Sequence, residues 1–456
     1  MAGRSDGRNR YGQYRRYEHF IKKHLLLSLG VTFVIILGVL IGLLYLSACI
    51  PKEAFRENLL ESAYYLEENE DEFYDIRENN RRTIIDNYAD TIVYNIMYSI
   101  DPEYRMESLI ISPFYSDNAN PEYQMISILR ERIEEEKEID TVYDRYWHGM
   151  QMVLRPLFVV FDIVQIRIFM ISLLTVLLLI LIWKLWKMEQ KSLAVSMVAA
   201  AVLIAYPMVG MCIEYVASFL IMLLVSLLCL RCYKEKKIVI HLLLISGMCC
   251  GFFDILTTET VAVIVPLAIV VCLRQKESKI DCFWKEMGFV VASGTVWGIG
   301  YLGVFVSKWI LSSIALGHNR FTQALSMMAY RQGADVAVDS GSVLSQPLEA
   351  LARNIRLLLG FPLDMEYRTV LMIMLITVTA LACFVYLYRK TGKECILSAI
   401  LALLALVPIA RILILNSHSY QHSFFTYRAL FGSICCIITA VVKVVDVKLL
   451  KRKRFS

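Results

Sequence analysis

The polar stretch from Pro51 to Tyr143 contains no cysteine, although the chain carries twelve. That absence excludes a disulfide framework for the one segment long enough to form an exposed domain. Cys212, Cys229, Cys232, Cys249, Cys250, Cys272, Cys383, Cys435 and Cys436 lie in or beside apolar runs, where a thiol behaves as a small apolar side chain. Cys229 and Cys232 have redox or zinc spacing, but no second pair or neighbouring histidine completes a metal site. A Walker A loop and a Rossmann glycine fingerprint are both missing, as is a Gly-x-Ser-x-Gly nucleophile turn. There is no internal repeat. Basic residues form no continuous stripe, which argues against a nucleic-acid partner.

What is present is apolar length. Of 456 residues, 57% are hydrophobic, too many for an ordinary soluble chain, and they are gathered in long runs. About 20 apolar residues let a helix cross the hydrocarbon core. Lipid offers nothing to stray backbone N–H and C=O groups, so helices are the expected form. The fold class is therefore all-α, a polytopic helical membrane protein.

Charge gives the topology. Arg4, Arg8, Arg10, Arg15, Arg16, Lys22 and Lys23 precede an uncharged run from Leu25 to Ile50, read as a retained first span with a cytoplasmic N-terminus. Further spans are expected over about Ile166–Trp183, Leu193–Tyr206, Tyr215–Leu230, Ile238–Phe253, Val261–Leu273, Met287–Ile314, Val370–Tyr388, Ile396–Leu415 and Leu430–Val445. The basic clusters at Lys184–Lys191, Arg231–Lys237, Arg274–Lys279, Arg389–Lys393 and Lys448–Arg454 then all fall inside. This gives about ten spans in a plasma membrane, with both termini cytoplasmic. The divisions are a basic N-terminus at 1–24, a first span at 25–50, and an acidic outer loop with an interfacial segment at 51–165. Six spans follow at 166–316, then a second outer segment at 317–368, three spans at 369–446 and a basic tail at 447–456. Apolar periodicity predicts outer helices around Ile84–Met97, Met125–Ile133, Phe321–Tyr330 and Leu348–Leu359, with Ser340-Gly341-Ser342 as a break.

Several polar motifs fall on the outer side. Asp86 and Asp90 are one helical turn apart, a spacing that suits a divalent cation such as Mg²⁺ or Mn²⁺, a general base with a neighbouring acid, or a solvated acidic face. Arg145-Tyr146-Trp147-His148-Gly149 holds two interfacial aromatics beside a cation and a histidine. Arg155 lies inside an apolar stretch and needs an anion or a carboxylate there. Asp254 and Glu259 bracket three threonines between two spans, as functional acids at membrane depth or as a capped turn. The stretch from Asn416 to Arg428 contributes His418, His422, Tyr427 and Arg428, with Arg411 just before it. His418 and His422 are four apart, but phosphate or hydroxyl contacts suit them better than zinc, because no further ligand motif adjoins them.

These motifs together resemble a family of uncharacterised polytopic membrane proteins of Firmicutes, over most of the chain. The arrangement is also similar to that of GT-C glycosyltransferases, with a cytoplasmic N-terminus, about ten spans and a large first outer loop carrying acids. That resemblance implies transfer of a sugar from a polyprenyl-phosphate-linked donor to a cell-envelope glycan acceptor at the outer face of the bilayer. In that scheme Asp86 or Asp90 is the base. Arg155, His148, Arg428 and His422 face the departing phosphate, Tyr146 and Trp147 border the sugar, and Asp254 orients a cation, with Arg145, His418 and Tyr427 in the same shell. The acids are Asp-x-x-x-Asp rather than adjacent, a departure from the usual GT-C pattern. A transporter or flippase for a lipid-linked or polar solute, or a non-catalytic assembly protein, remains the alternative.

Overall fold

The structure is a computed structural model that describes residues 24–446 except 79, 119, 121–123, 278, 279, 281, 334–344 and 391. The basic N-terminal cluster, the Lys448–Arg454 cluster and the break at Ser340-Gly341-Ser342 lie outside the described residues.

Helices dominate, because each long apolar run satisfies its own backbone. The first, α1 (Leu25–Ala48), precedes a subdomain formed by the segment that flanking charge leads one to expect on the outer side. That subdomain contains α2 (Arg56–Asn69), α3 (Asn87–Tyr98), α4 (Arg105–Ile111), α5 (Met125–Glu134) and α6 (Gln151–Phe158). Its only strands among the described residues form two short antiparallel ribbons. In one, β1 (Phe73–Asp75) pairs with β2 (Ile84–Asp86), placing Phe73 opposite Asp86; in the other, β3 (Pro113–Phe114) pairs with β4 (Thr141–Val142). Ile84 and Ile85 are therefore strand residues, not the start of the predicted helix.

The bundle follows as α7 (Ile163–Lys187), α8 (Lys191–Leu203), α9 (Ile213–Cys232), α10 (Lys236–Phe253), α11 (Val261–Lys276) and α12 (Phe283–Leu316). Outer helices α13 (Phe321–Arg331) and α14 (Ser345–Leu359) come next. The chain then returns through α15 (Tyr367–Tyr388), α16 (Lys393–Ile414), the short α17 (Asn416–Gln421) and α18 (Ser423–Thr426), and α19 (Phe431–Val444).

By length and composition, eight helical stretches among the described residues can cross a membrane: α1, α7, α9, α10, α12, α15, α16 and Ser423–Val444. The expected third and sixth spans are α8 and α11, at 13 and 16 residues, shorter than a full crossing. Every residue of α11 from Val261 to Arg274 is buried, so it is a central helix with apolar neighbours on all sides. Span α7 starts three residues earlier than the apolar run suggests, because Asp162 and Gln165 form a capping box.

The packing of α10 on α12 positions the site. A Cβ added at Gly247 would lie 2.0 Å from the Trp297 carbonyl, so only glycine admits this approach. The close crossing fixes α12, and with it Tyr301 and Phe305, beside the outer end of the bundle.

Candidate functional site

A cavity of about 380 Å³ opens between α12, α13, α16 and the turn ahead of α11. Its polar lining includes Arg145, Arg331, Arg411, Glu259, Gln332, Tyr146 and Tyr301. Three guanidinium groups thus face one carboxylate. Leu302, Val407 and Ile414 also line it and are 52%, 40% and 73% exposed, so its walls run out onto the apolar flank of the bundle. A cavity with cations inside and an apolar flank suits a ligand with an anionic head and a greasy tail.

Each cation has a local cause. Arg411 sits in the last turn of α16, and its Nε donates to Glu259 Oε1 at 2.9 Å. Its Nη1 donates to Ser419 Oγ at 3.0 Å and its Nη2 to the Leu256 carbonyl at 2.6 Å. Glu259 Oε2 has no partner among the described residues. Arg331 ends α13 with its guanidinium 5.5 Å from the centre of the Tyr146 ring, and it meets no carboxylate among the described residues. Arg145 lies 4.8 Å from the Tyr143 ring centre. The buried Tyr301 hydroxyl is also without a partner among the described residues.

No residue of the Asn416–Arg428 motif lines this cavity; Ser419 reaches it only through its hydrogen bond with Arg411. The rings of His418 and His422 are 4.8 Å apart, and His422 stacks on Phe425. Neither Nδ1 has a partner among the described residues. Burial, then Arg411, pushes His418 well down; burial, then Arg331, pushes His422 down to about 4. Both are neutral at ordinary pH, so they add no charge beside Arg411 and Arg331. Tyr427 donates to the Ile204 carbonyl at 3.0 Å. Arg428 donates to the carbonyls of Phe424 and Arg82 at 2.8 Å each. These two residues are fully buried and tie the outer ribbon to the bundle. They do not line the cavity.

The Arg145–Gly149 motif divides between this cavity and the scaffold. Arg145 and Tyr146 line the cavity, whereas Trp147 is a core anchor. Its Nε1 donates to the Val304 carbonyl at 2.9 Å, and its ring stacks on Phe252 at 5.3 Å. It is not the interfacial or sugar-stacking residue expected. His148 has a left-handed φ of 49° and is buried, with Nε2 bonded to the Tyr143 carbonyl at 3.0 Å. Burial pushes it down to about 3, so it is neutral and cannot balance a phosphate charge. Gly149 is required because a Cβ there would lie 2.6 Å from the Phe252 carbonyl. Arg155 does not meet the anion or carboxylate expected of it. It donates to the carbonyls of Met97 and Ile50 and lies 5.6 Å from the Phe55 ring centre, so it joins the first span to the outer subdomain.

The acids lie elsewhere. Asp86 is the N-cap of α3, accepting from Ala89 N at 3.0 Å, while Asp90 belongs to its first turn. Both oxygens of Asp90 accept backbone amides at the start of α9, from Ile213 at 2.9 Å and Glu214 at 3.1 Å. That pattern is a cap supplied from another element. Burial nonetheless pushes Asp90 up to about 7 and Asp86 up to about 6. Asp86 also faces Glu214, a first-turn acid of α9 whose Oε1 has no partner among the described residues. Two buried carboxyl groups that face each other favour a shared proton.

The Asp86–Asp90 pair does not fit Mg²⁺ or Mn²⁺. Amide donors already occupy both Asp90 oxygens, and the described residues contain no group of three or more His, Cys, Asp or Glu able to hold a metal ion. Asp254 does not orient a cation either. Its carboxylate accepts from Leu256 N and Thr257 N at 3.0 Å, from Ser218 Oγ at 2.8 Å and from Thr257 Oγ1. It is a turn cap, and Glu259 is the acid that holds a guanidinium.

The cavity thus gathers Arg145, Tyr146, Glu259 and Arg411; His418 and His422, from the expected set, do not line it. Arg331 and Tyr301 are additions to the lining, and Glu214 is an addition to the separate cluster at Asp86. Arg331 lies one residue beyond the amphipathic stretch read from sequence, and Tyr301 is an ordinary mid-span aromatic until folded. Glu214 did carry a signal, a carboxylate at the mouth of an apolar run. No protein-family model, curated protein or solved structure matches this chain.

Proposed function

We propose that this chain is an integral-membrane glycosyltransferase with about ten membrane-embedded helices and cytoplasmic termini, GT-C-like in arrangement. It takes a sugar from a polyprenyl-phosphate-linked donor and passes it to a cell-envelope acceptor on the outer face. One observation carries the reading: the cavity holding Arg145, Arg331 and Arg411 has walls that continue onto the apolar flank. A polyprenyl tail would lie along that flank while the phosphate enters between the guanidinium groups.

In this mechanism an acceptor hydroxyl attacks the anomeric carbon as the bond from that carbon to the phosphate oxygen breaks. The hydroxyl proton passes to Glu259, the carboxylate that lines the cavity and keeps Oε2 open there. Negative charge accumulates on the leaving phosphate, where Arg145 and Arg331 meet no carboxylate among the described residues and Arg411 is oriented by Glu259. Asp90 holds α9 in place and takes no proton from substrate. The likeness to GT-C enzymes noted from the sequence supports this scheme.

The test is transfer of labelled sugar from a polyprenyl-phosphate donor in membranes carrying the full chain. Loss of product in both Glu259→Gln and Arg331→Gln, at normal protein levels, is the expected result. Full activity in both variants would remove the mechanism, and vesicle uptake without covalent product would favour a transporter.

A further inference from the structure

A second concentration of positive charge lies outside this cavity. Arg81, in the turn between β1 and β2, meets Arg353 and Arg356 of α14 around a smaller cavity of about 170 Å³, lined also by Ser423, Leu357 and Leu363. Arg353 and Arg356 are three residues apart and so share one face of their helix. Arg81 has a left-handed φ of 47°, a conformation uncommon outside glycine. The turn winds around Asp75, whose carboxylate accepts from Asn80 N at 2.9 Å, Arg81 N at 3.0 Å and Thr83 Oγ1 at 2.5 Å. That acid is engaged by its own turn; its charge reaches the Arg81 guanidinium, but no ion pair joins the two among the described residues.

The three side chains have few other obligations. Arg353 Nη1 donates to the Tyr420 carbonyl at 3.2 Å, with the guanidinium 4.3 Å from that ring centre. Arg356 donates to the carbonyls of Leu363 and Met365. The Nε atoms of Arg81 and Arg356 have no partner among the described residues. Asp364 and Glu349 are near enough to influence Arg356, but no carboxylate among the described residues closes an ion pair with any of the three. Burial, then Arg353, draws both Arg81 and Arg356 down from the usual arginine range. Ser423, wholly buried, lines the same cavity with a hydroxyl that no described residue uses. Converging guanidinium groups with spare donors are costly unless an anion joins them.

We infer that Arg81, Arg353, Arg356 and the Ser423 hydroxyl form a phosphate-binding site between the β1–β2 turn, α14 and the start of α18, separate from the transfer cavity. Its ligand is a phosphate ester, borne either by a soluble or glycan-linked molecule or by a lipid headgroup. The inference does not depend on the transferase reading, and its test requires no turnover.

The full chain, purified in detergent, is titrated with inorganic phosphate and, at matched ionic strength, with sodium chloride, while the thermal unfolding midpoint is followed. The wild type is expected to show a saturable upward shift with phosphate alone. Arg81→Gln, which disturbs no described side-chain hydrogen bond, should weaken the apparent Kd by about tenfold or more, since one charge-assisted contact is lost. Ser423→Ala should weaken it a few-fold, and it serves as the readout if Arg81→Gln fails to purify. Equal phosphate responses in wild type and both variants, or an equal response to chloride, would overturn the site. Nanodiscs then distinguish the sources. A phosphate response lost only when phosphatidylglycerol is present identifies a headgroup occupant, and one that persists in both lipids identifies a soluble or glycan-borne ester.

Discussion

Two arginine–glutamate pairs are buried to nearly the same depth and differ in what surrounds them. Arg167 and Glu70 have side chains 4% and 5% exposed; Arg411 and Glu259 are both 6% exposed. In the first pair Arg167 Nη1 reaches both Glu70 oxygens, at 2.8 and 3.0 Å. Asn87 closes the ring, donating to Glu70 Oε2 at 2.9 Å and accepting from Arg167 Nη2 at 2.7 Å. In the second pair the acid keeps one oxygen unpartnered among the described residues, and both residues line the cavity. A closed network holds a scaffold together, whereas an acceptor left open at a cavity wall leaves room for something to be bound. The same distinction separates Arg155 and Arg428, whose donors go to backbone carbonyls, from Arg331, which meets only aromatic rings and neutral groups among the described residues.

The comparison can be broken at either pair. Arg167→Met leaves Glu70 and Asn87 buried without their cation and should cost about 3–5 kcal/mol of stability. It would be read as a fall in the thermal midpoint, with sugar transfer per folded molecule unchanged. Arg331→Gln should do the opposite: transfer down by about 10²–10³-fold, with the melting temperature close to wild type. A large stability loss at Arg331 would place it with the scaffold instead.

The pH dependence sharpens the division between the cavity and the buried acids. Asp86 and Asp90 line no part of the cavity, so their burial should be felt in stability and not in transfer. Because burial raises Asp86 to about 6 and Asp90 to about 7 from an ordinary 3.8, their contribution is complete below 3.8 and is lost as pH rises through 6 to 7. Thermal unfolding of Asp90→Asn across that range should show a flatter profile. The smallest effect is expected at Trp147→Phe. Losing the bond to the Val304 carbonyl should cost about 1 kcal/mol and leave transfer untouched, as calorimetry and the sugar assay would show.

Much of the scaffold was legible because lipid imposes a simple rule on sequence. The runs at Leu25, Tyr215, Ile238 and Ile396 each lie largely within one helix, since an apolar chain in a bilayer has few other ways to bond its backbone. The amphipathic stretches at Phe321 and Leu348 also lie in helices. The site was legible only in its parts. Arg145 and Tyr146 do converge with Glu259 and Arg411, but Trp147, Arg155 and Asp254 were indistinguishable in sequence from these cavity-lining residues, and the Asn416–Arg428 motif lies outside the cavity. A buried arginine bonded to carbonyls and one facing a cavity have the same letter and the same apolar flanks.

By itself the sequence determined that this chain is a helical membrane protein and where most of its spans lie, because hydrophobic length and flanking charge act locally along the chain. Only the tertiary structure decided which polar residues share a space. Whether a guanidinium is spent on a carbonyl, as at Arg428, or left facing a cavity, as at Arg331, depends on segments hundreds of residues apart, and no local pattern records that meeting.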